Sequence, residues 1–151
     1  MRRKDREITD RADIEGVLGE AMVCRIGLAD ENGPYIVPVS FGYRDGAIWI
    51  HSAHEGKKIE MLRKDSRCCF EADICDGVVR GDTPCSWGMR YRSVIGYGRA
   101  VFVDTPDEKR YGLNCIMQHY GGGTHAFSEH DLKTVTVIRI DIGSMTGKKH
   151  H

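Results

Sequence analysis

The stretch at 51–58, HSAHEGKK, carries two imidazoles, a hydroxyl and, beyond a glycine, two adjacent lysines. Lys57 and Lys58 stand just before apolar residues at helical spacing, Ile59 and Leu62, so they open a helix. Unpaired N–H groups and the macrodipole already favour negative charge there. Two cations in that place are electrostatically misplaced unless an anion sits among them, and phosphate is the anion that fits. Two solvated lysines tolerating a small dipole penalty account for the spacing equally well. His51 ends an apolar run, where it can transfer a proton near neutral pH, orient a substrate, or simply hold a loop.

The elements that must position these groups are mostly strands. MVCRIGLA, PYIVPVSFGY and AIWIHSA follow a period of two and are separated by DENG and RDG, which predicts an antiparallel meander with glycine-centred turns at Asn32-Gly33 and Asp45-Gly46. Pro38 cannot donate to a sheet ladder, so it marks an edge, a bulge or backbone left free for a ligand. CCFEADICDGVV, YRSVIGYGRAVFVD and TVTVIRIDIG add three further strands. In the second of these, Tyr91, Ser93, Ile95 and Tyr97 share one face, Arg92 and Val94 the other, and Gly96 with Gly98 suggests a bulge or a close backbone approach. Arg92 and Ser93 are candidate phosphate donors, or a surface charge and a half-buried strand residue.

Helices interrupt the strands. Thr9 or Asp10 caps one carrying Ile14, Val17, Leu18 and Ala21. HEGKKIEMLRKDSR turns Ile59, Leu62 and Met61 inward. Thr105 and Pro106 begin another, with Tyr111, Leu113, Cys115, Ile116 and Tyr120 on its apolar side and GGG as its stop. His119, near its end, is an acid/base candidate but is explained as well by the helix dipole. SEHDLK forms a short turn. The expected fold is therefore mainly β with peripheral helices: about six antiparallel strands in a single domain spanning 1–151, closing or nearly closing into a small barrel, with 1–10 a charged arm and 144–151 a polar tail.

Composition limits the function. The chain has 151 residues and balanced charge, 22 Lys+Arg against 22 Asp+Glu, so a nucleic acid partner is not expected. No apolar run is long enough to span a membrane, and MRRKDREI lacks the apolar stretch of a secretion signal. A soluble, cytoplasmic protein is expected. The six cysteines form no CxxC pair or Cys/His ladder, so no metal site is expected. Cys24, Cys68 and Cys69 read as reduced, core or near-core thiols, and Cys75 and Cys85 as exposed ones. His150 and His151 resemble a tag remnant and are set aside. There is no GxGxxG after a first strand, no GxSxG elbow and no HExxH.

MRRKDREI, PYIVPVSFGY, HSAHEGKK, W-x-M-x-YRSVIGYGRA and IMQHYGG, in this order, resemble the nitroimidazole-resistance proteins within the pyridoxamine 5′-phosphate oxidase-like superfamily. The resemblance runs over nearly the whole chain. It implies a split β-barrel, a homodimer, and FMN, or FAD in its stead, in two equivalent clefts at the dimer interface. It places the flavin ring at Val37, Pro38, Val39 and Ser40, with His51, Ser52 and Ala53 beside it, Lys57 and Lys58 at the phosphate, and Arg92, Ser93 and Val94 on a neighbouring strand. Thr146-Gly147-Lys148 also matches the family's ending. The implied activity is a flavin-dependent reductase delivering electrons to a small aromatic or nitro acceptor, with His51 as proton donor or orienting group. A flavin-binding or sensing module without turnover, or the same barrel holding haem or a deazaflavin, are the other expectations. Pyridoxamine phosphate oxidase activity itself is not expected, because the chain is short and a basic, Trp-containing terminal motif is missing.

Overall fold

A computed structural model describes residues 2–150. A 3-10 turn at Lys4–Arg6 leads into β1 (Glu7–Ile8), followed by α1 (Arg11–Glu20), β2 (Cys24–Asp30), β3 (Gly33–Val39), β4 (Phe41–Arg44) and β5 (Ala47–Ser52). Then come α2 (Lys57–Lys64), β6 (Arg67–Val79), β7 (Gly88–Val103), α3 (Pro106–His119), α4 (Glu129–Lys133) and β8 (Thr136–His150). The strands form one antiparallel sheet in the order β3-β2-β6-β7-β8-β5-β4, with β1 added to β8.

The fold is the expected split β-barrel, with three corrections. The described residues form eight strands, because the arm contributes β1 and the run 34–43 breaks in two. The break at Ser40 sends β3 and β4 to opposite edges of the sheet, so the first strands are two separate hairpins and not a meander. Among the described residues no ladder closes the barrel between those edges. The polar tail is also strand: Ser93 pairs with Lys148, and Glu7 with Lys148 from the other side. Between two neighbours that satisfy its backbone, a polar sequence is held extended whatever its propensity.

The barrel is filled by Phe41, Phe70, Ile26, Ile48, Ile50, Val94, Ile138 and Ile140. Helix α1, capped by Asp10 on Ala12 N and Asp13 N, adds Ile14, Val17 and Leu18 to this core. A second cluster lies under α3 and α4, where Trp49, Val103 and Val137 of the sheet meet Leu113, Ile116 and Leu132. Two glycines set these contacts. A Cβ on Gly42 would come within 2.5 Å of the Cys115 carbonyl, so α3 can lie directly on β4. One on Gly96 would meet the Phe70 ring at 2.3 Å, and the β7–β8 register shifts between Tyr97 and Gly98, so both the close approach and the bulge expected of this glycine pair are present.

Candidate functional site

The end of β5, the loop 53–56 and the start of α2 form one unit. Gly56, at φ 123, makes the turn that starts α2 at Lys57, a backbone conformation other residues rarely adopt. The loop is fastened by His54: its Nε2 donates to the Lys133 carbonyl at 2.7 Å, and its Nδ1 lies 2.9 Å from the Thr136 hydroxyl. Sequence reasoning missed this role. Its partners are some 80 residues away, and nothing local distinguishes His54 from any polar loop residue.

Lys57 extends over Tyr35 of β3, with Nζ 4.7 Å from the ring centre. This brings the start of α2 against the edge strand carrying Val37 and Pro38. Both strand prolines of β3, Pro34 and Pro38, lie on this outermost strand, as a missing donor requires. Phe41 pairs with Ile50, so Ser40 leaves the sheet level with His51. Lys58 is half-buried, and burial alone pulls its pKa below the usual lysine value. Burial first, and the Lys58 charge second, hold the His51 pKa below that of an ordinary imidazole. No carboxylate contributes to either shift.

Within one chain Lys57 reaches β3 through Tyr35, the Lys58 charge acts on His51, and Ser40 lies level with His51. No ladder joins Arg92, Ser93 and Val94 to them. β7 is not adjacent to β3 or β5. His51 pairs with Val137, which pairs with Val103, and Val94 lies roughly 30 Å further along β7 at about 3.3 Å per residue. The Val94 side chain is fully buried in the barrel. The Arg92 guanidinium is engaged by Asp76 and Glu20 at 3.0–3.2 Å, and these two carboxylates hold it strongly protonated. Lys148 lies beside Ser93 in the ladder, with Nζ 5.9 Å from the Tyr91 ring centre. His119 is structural: its Nε2 is 2.8 Å from the Ala21 carbonyl and its ring packs on Phe41.

The thiols follow the sequence expectation: Cys24 and Cys68 are buried, Cys69 is intermediate, and Cys75 and Cys85 are exposed. Burial pushes Cys24 up to about 12 and Cys68 to about 11. Among the described residues no group of His, Cys, Asp and Glu is arranged to hold a metal ion, and no helix is long and apolar enough to cross a membrane. His150 lies within β8, its Nδ1 2.9 Å from the Met89 carbonyl, whereas His151 is outside the described residues.

Two clefts flank these elements. One, of about 1200 Å³, runs over the outer face of β3, β2, β6, β7 and β8, where Ile36, Ile95, Tyr97 and Val101 are exposed. The other, of about 590 Å³, lies between His51, α3 and the 125–127 segment.

The family model for pyridoxamine 5′-phosphate oxidase matches residues 10–149. Among solved structures, a candidate 5-nitroimidazole antibiotic resistance protein from Bacteroides thetaiotaomicron is 34% identical, with a TM-score of 0.84 over 95% of this chain and 86% of that one. An FAD- and haem-binding protein from Mycobacterium smegmatis has a TM-score of 0.87 at 20% identity, over 97% of this chain and 74% of that one. A flavocytochrome from Azotobacter vinelandii has the same TM-score at 17% identity, over 100% of this chain and 72% of that one. The last two likenesses are of fold alone. No curated protein sequence matches the chain.

Proposed function

Since the chain belongs to the pyridoxamine 5′-phosphate oxidase family, we propose that it is an FMN-binding homodimer that reduces small nitroaromatic or related aromatic compounds. The observation that carries this reading is Lys58. It is a half-buried cation at a helix start, with its pKa lowered and no carboxylate to offset the cost. A phosphate dianion would supply the missing charge, and the α2 N–H groups would add donors.

In this reading Lys57 and Lys58 hold the phosphate, Val37–Ser40 line the ring with edge-strand backbone, and Ser52 and Ala53 complete the wall. FMN, or FAD in its place, supplies the two-electron chemistry when bound. His51, whose pKa desolvation and then the Lys58 charge lower, orients the acceptor through a ring nitrogen or passes on a proton taken from solvent. The exposed Ile36, Ile95, Tyr97 and Val101 form an apolar face suited to a second copy, an arrangement monomers rarely leave uncovered. That copy would bring the β7 backbone at Arg92, Ser93 and Val94 to the cofactor, while the Val94 side chain stays in its own core. Six cysteines without a disulfide favour a reducing cytoplasm.

The test is the absorbance spectrum of freshly purified protein, with mass spectrometry of the released ligand and the same measurements on Lys57→Ala and Lys58→Ala. Flavin bands at one per chain, lost in the variants, support the site. Haem or deazaflavin bands, or no binding of added FMN, would sink it. Nitroaromatic-dependent consumption of NADH, NADPH or a chemical reductant then separates a reductase from a flavin-binding or sensing protein.

A further inference from the structure

On the α3 side of β5 the smaller cleft has a built wall. Asn114 Nδ2 donates to the His125 carbonyl at 2.9 Å, and its Oδ1 receives the His125 N–H at 2.7 Å. Arg110 Nε donates to the Phe127 carbonyl at 3.1 Å. Phe127 is held at φ 28, a strained conformation that persists only where the surroundings impose it. Three contacts from α3 thus fix a loop that glycines 121–123 would otherwise leave free.

The lining is chemically selective. Leu113, Ile116, Met117, Phe127 and Val135 make it apolar, and His51 and His125 supply ring nitrogens. His125 Nε2 donates to the Gly122 carbonyl at 2.7 Å, so Nδ1 is the nitrogen left for a ligand. Asp131 also borders the cleft, with Oδ2 accepting from the Ser128 N–H and hydroxyl at 2.8 Å. The volume, about 590 Å³, is that of a small-molecule site. An aromatic face, a thioether and imidazole nitrogens suit a flat ring with polar atoms in it.

We propose that this cleft docks the electron acceptor, a small, neutral, planar heteroaromatic molecule that packs against Phe127 and Met117 and is hydrogen-bonded by His51 and His125. The assignment rests on the reductase reading and gives its acceptor a position: the cleft shares His51 with the cofactor elements, so a ring held there reaches the same imidazole.

Isothermal titration of the oxidised, flavin-loaded protein with 2-methyl-5-nitroimidazole, no reductant present, tests the site without turnover. Phe127→Ala and His125→Ala should each weaken binding about tenfold, and Met117→Trp, which fills the cleft, should abolish it. His125 is exposed, so its variant remains informative if Phe127→Ala does not fold. No binding to the wild-type protein, or unchanged affinity in the variants, overturns the docking site. Weakened binding in a protein that never reduces the nitro group upholds the docking site and refutes the reductase. Reduction with unaltered affinity in all three variants does the reverse.

Discussion

The imidazole of His54 lies 2.9 Å from the hydroxyl of Thr136, joining the loop before α2 to the first residue of β8. Thr136 is buried, and the same imidazole donates to the Lys133 carbonyl. The position of Lys57 and Lys58 is thus set by a strand distant in sequence. His54→Ala should free that loop and weaken FMN binding about tenfold, the worth of one to two hydrogen bonds. Titration of apoprotein with FMN, followed by quenching of flavin fluorescence, measures this, and an unchanged affinity would show the staple is irrelevant to binding.

Lys58 and His51 predict how the apoprotein responds to pH. The folded pKa of His51 lies below its ordinary 6.5. Between those two values the unfolded chain holds more protons, so stability rises with pH through that window, and the penalty is fully present below the folded pKa. His51→Gln should flatten this part of a urea-melt series run from pH 5 to 7. Lys58→Gln should behave in two ways, stabilising the apoprotein at pH 7 while weakening FMN binding at least tenfold. A variant that loses stability without flavin would show that Lys58 is not strained by burial.

Gly42→Ala should cost about 1–3 kcal/mol, the range for overpacking a close contact, because the added methyl meets the Cys115 backbone at 2.5 Å. A thermal melt superimposable on the wild type would mean that α3 shifts without penalty.

Ile95→Asp and Tyr97→Asp place charge on the exposed face of β7. Each should leave the far-ultraviolet dichroism intact, while light scattering reports a monomer and bound flavin is lost. A dimer in both variants would move the subunit contact elsewhere.

Thiol chemistry gives a direct check of burial. Cys75 and Cys85 should react with Ellman's reagent within the mixing time, and Cys24, held at about 12, should remain silent until the protein unfolds. Mass mapping of the modified residues would expose any error in this order.

The parts of the fold legible in the sequence are those with local causes. Asn32-Gly33 and Asp45-Gly46 announce turns, and Asp10, Thr105 and Pro106 announce helix starts that the structure shows at those residues. The break at Ser40 has no such signal. Residues 35, 37, 39, 41 and 43 keep a single alternation through it, yet pairing passes from β2 to β5. The tail was obscured by polarity. Gly147 held a clue, for a Cβ there would touch Ile8 and Ile14 at under 3 Å, but nothing in GSMTGKK points to partners at residues 8 and 14. The place of Lys57 and Lys58 at the start of α2 was legible because apolar residues at helical spacing follow them. Arg92 was not, because Glu20 and Asp76, which hold it, come from two other elements.

β8 pairs with β5, β7 and β1. During synthesis it is also the last of these strands to leave the ribosome. Until it arrives, β5 and β7 have no ladder between them and the two hairpins cannot join into one sheet, so the nascent chain carries exposed strand edges up to that point. Assembly must wait for β8, which makes the joining of β5 to β7 the last pairing of the sheet and leaves an incomplete sheet exposed until then.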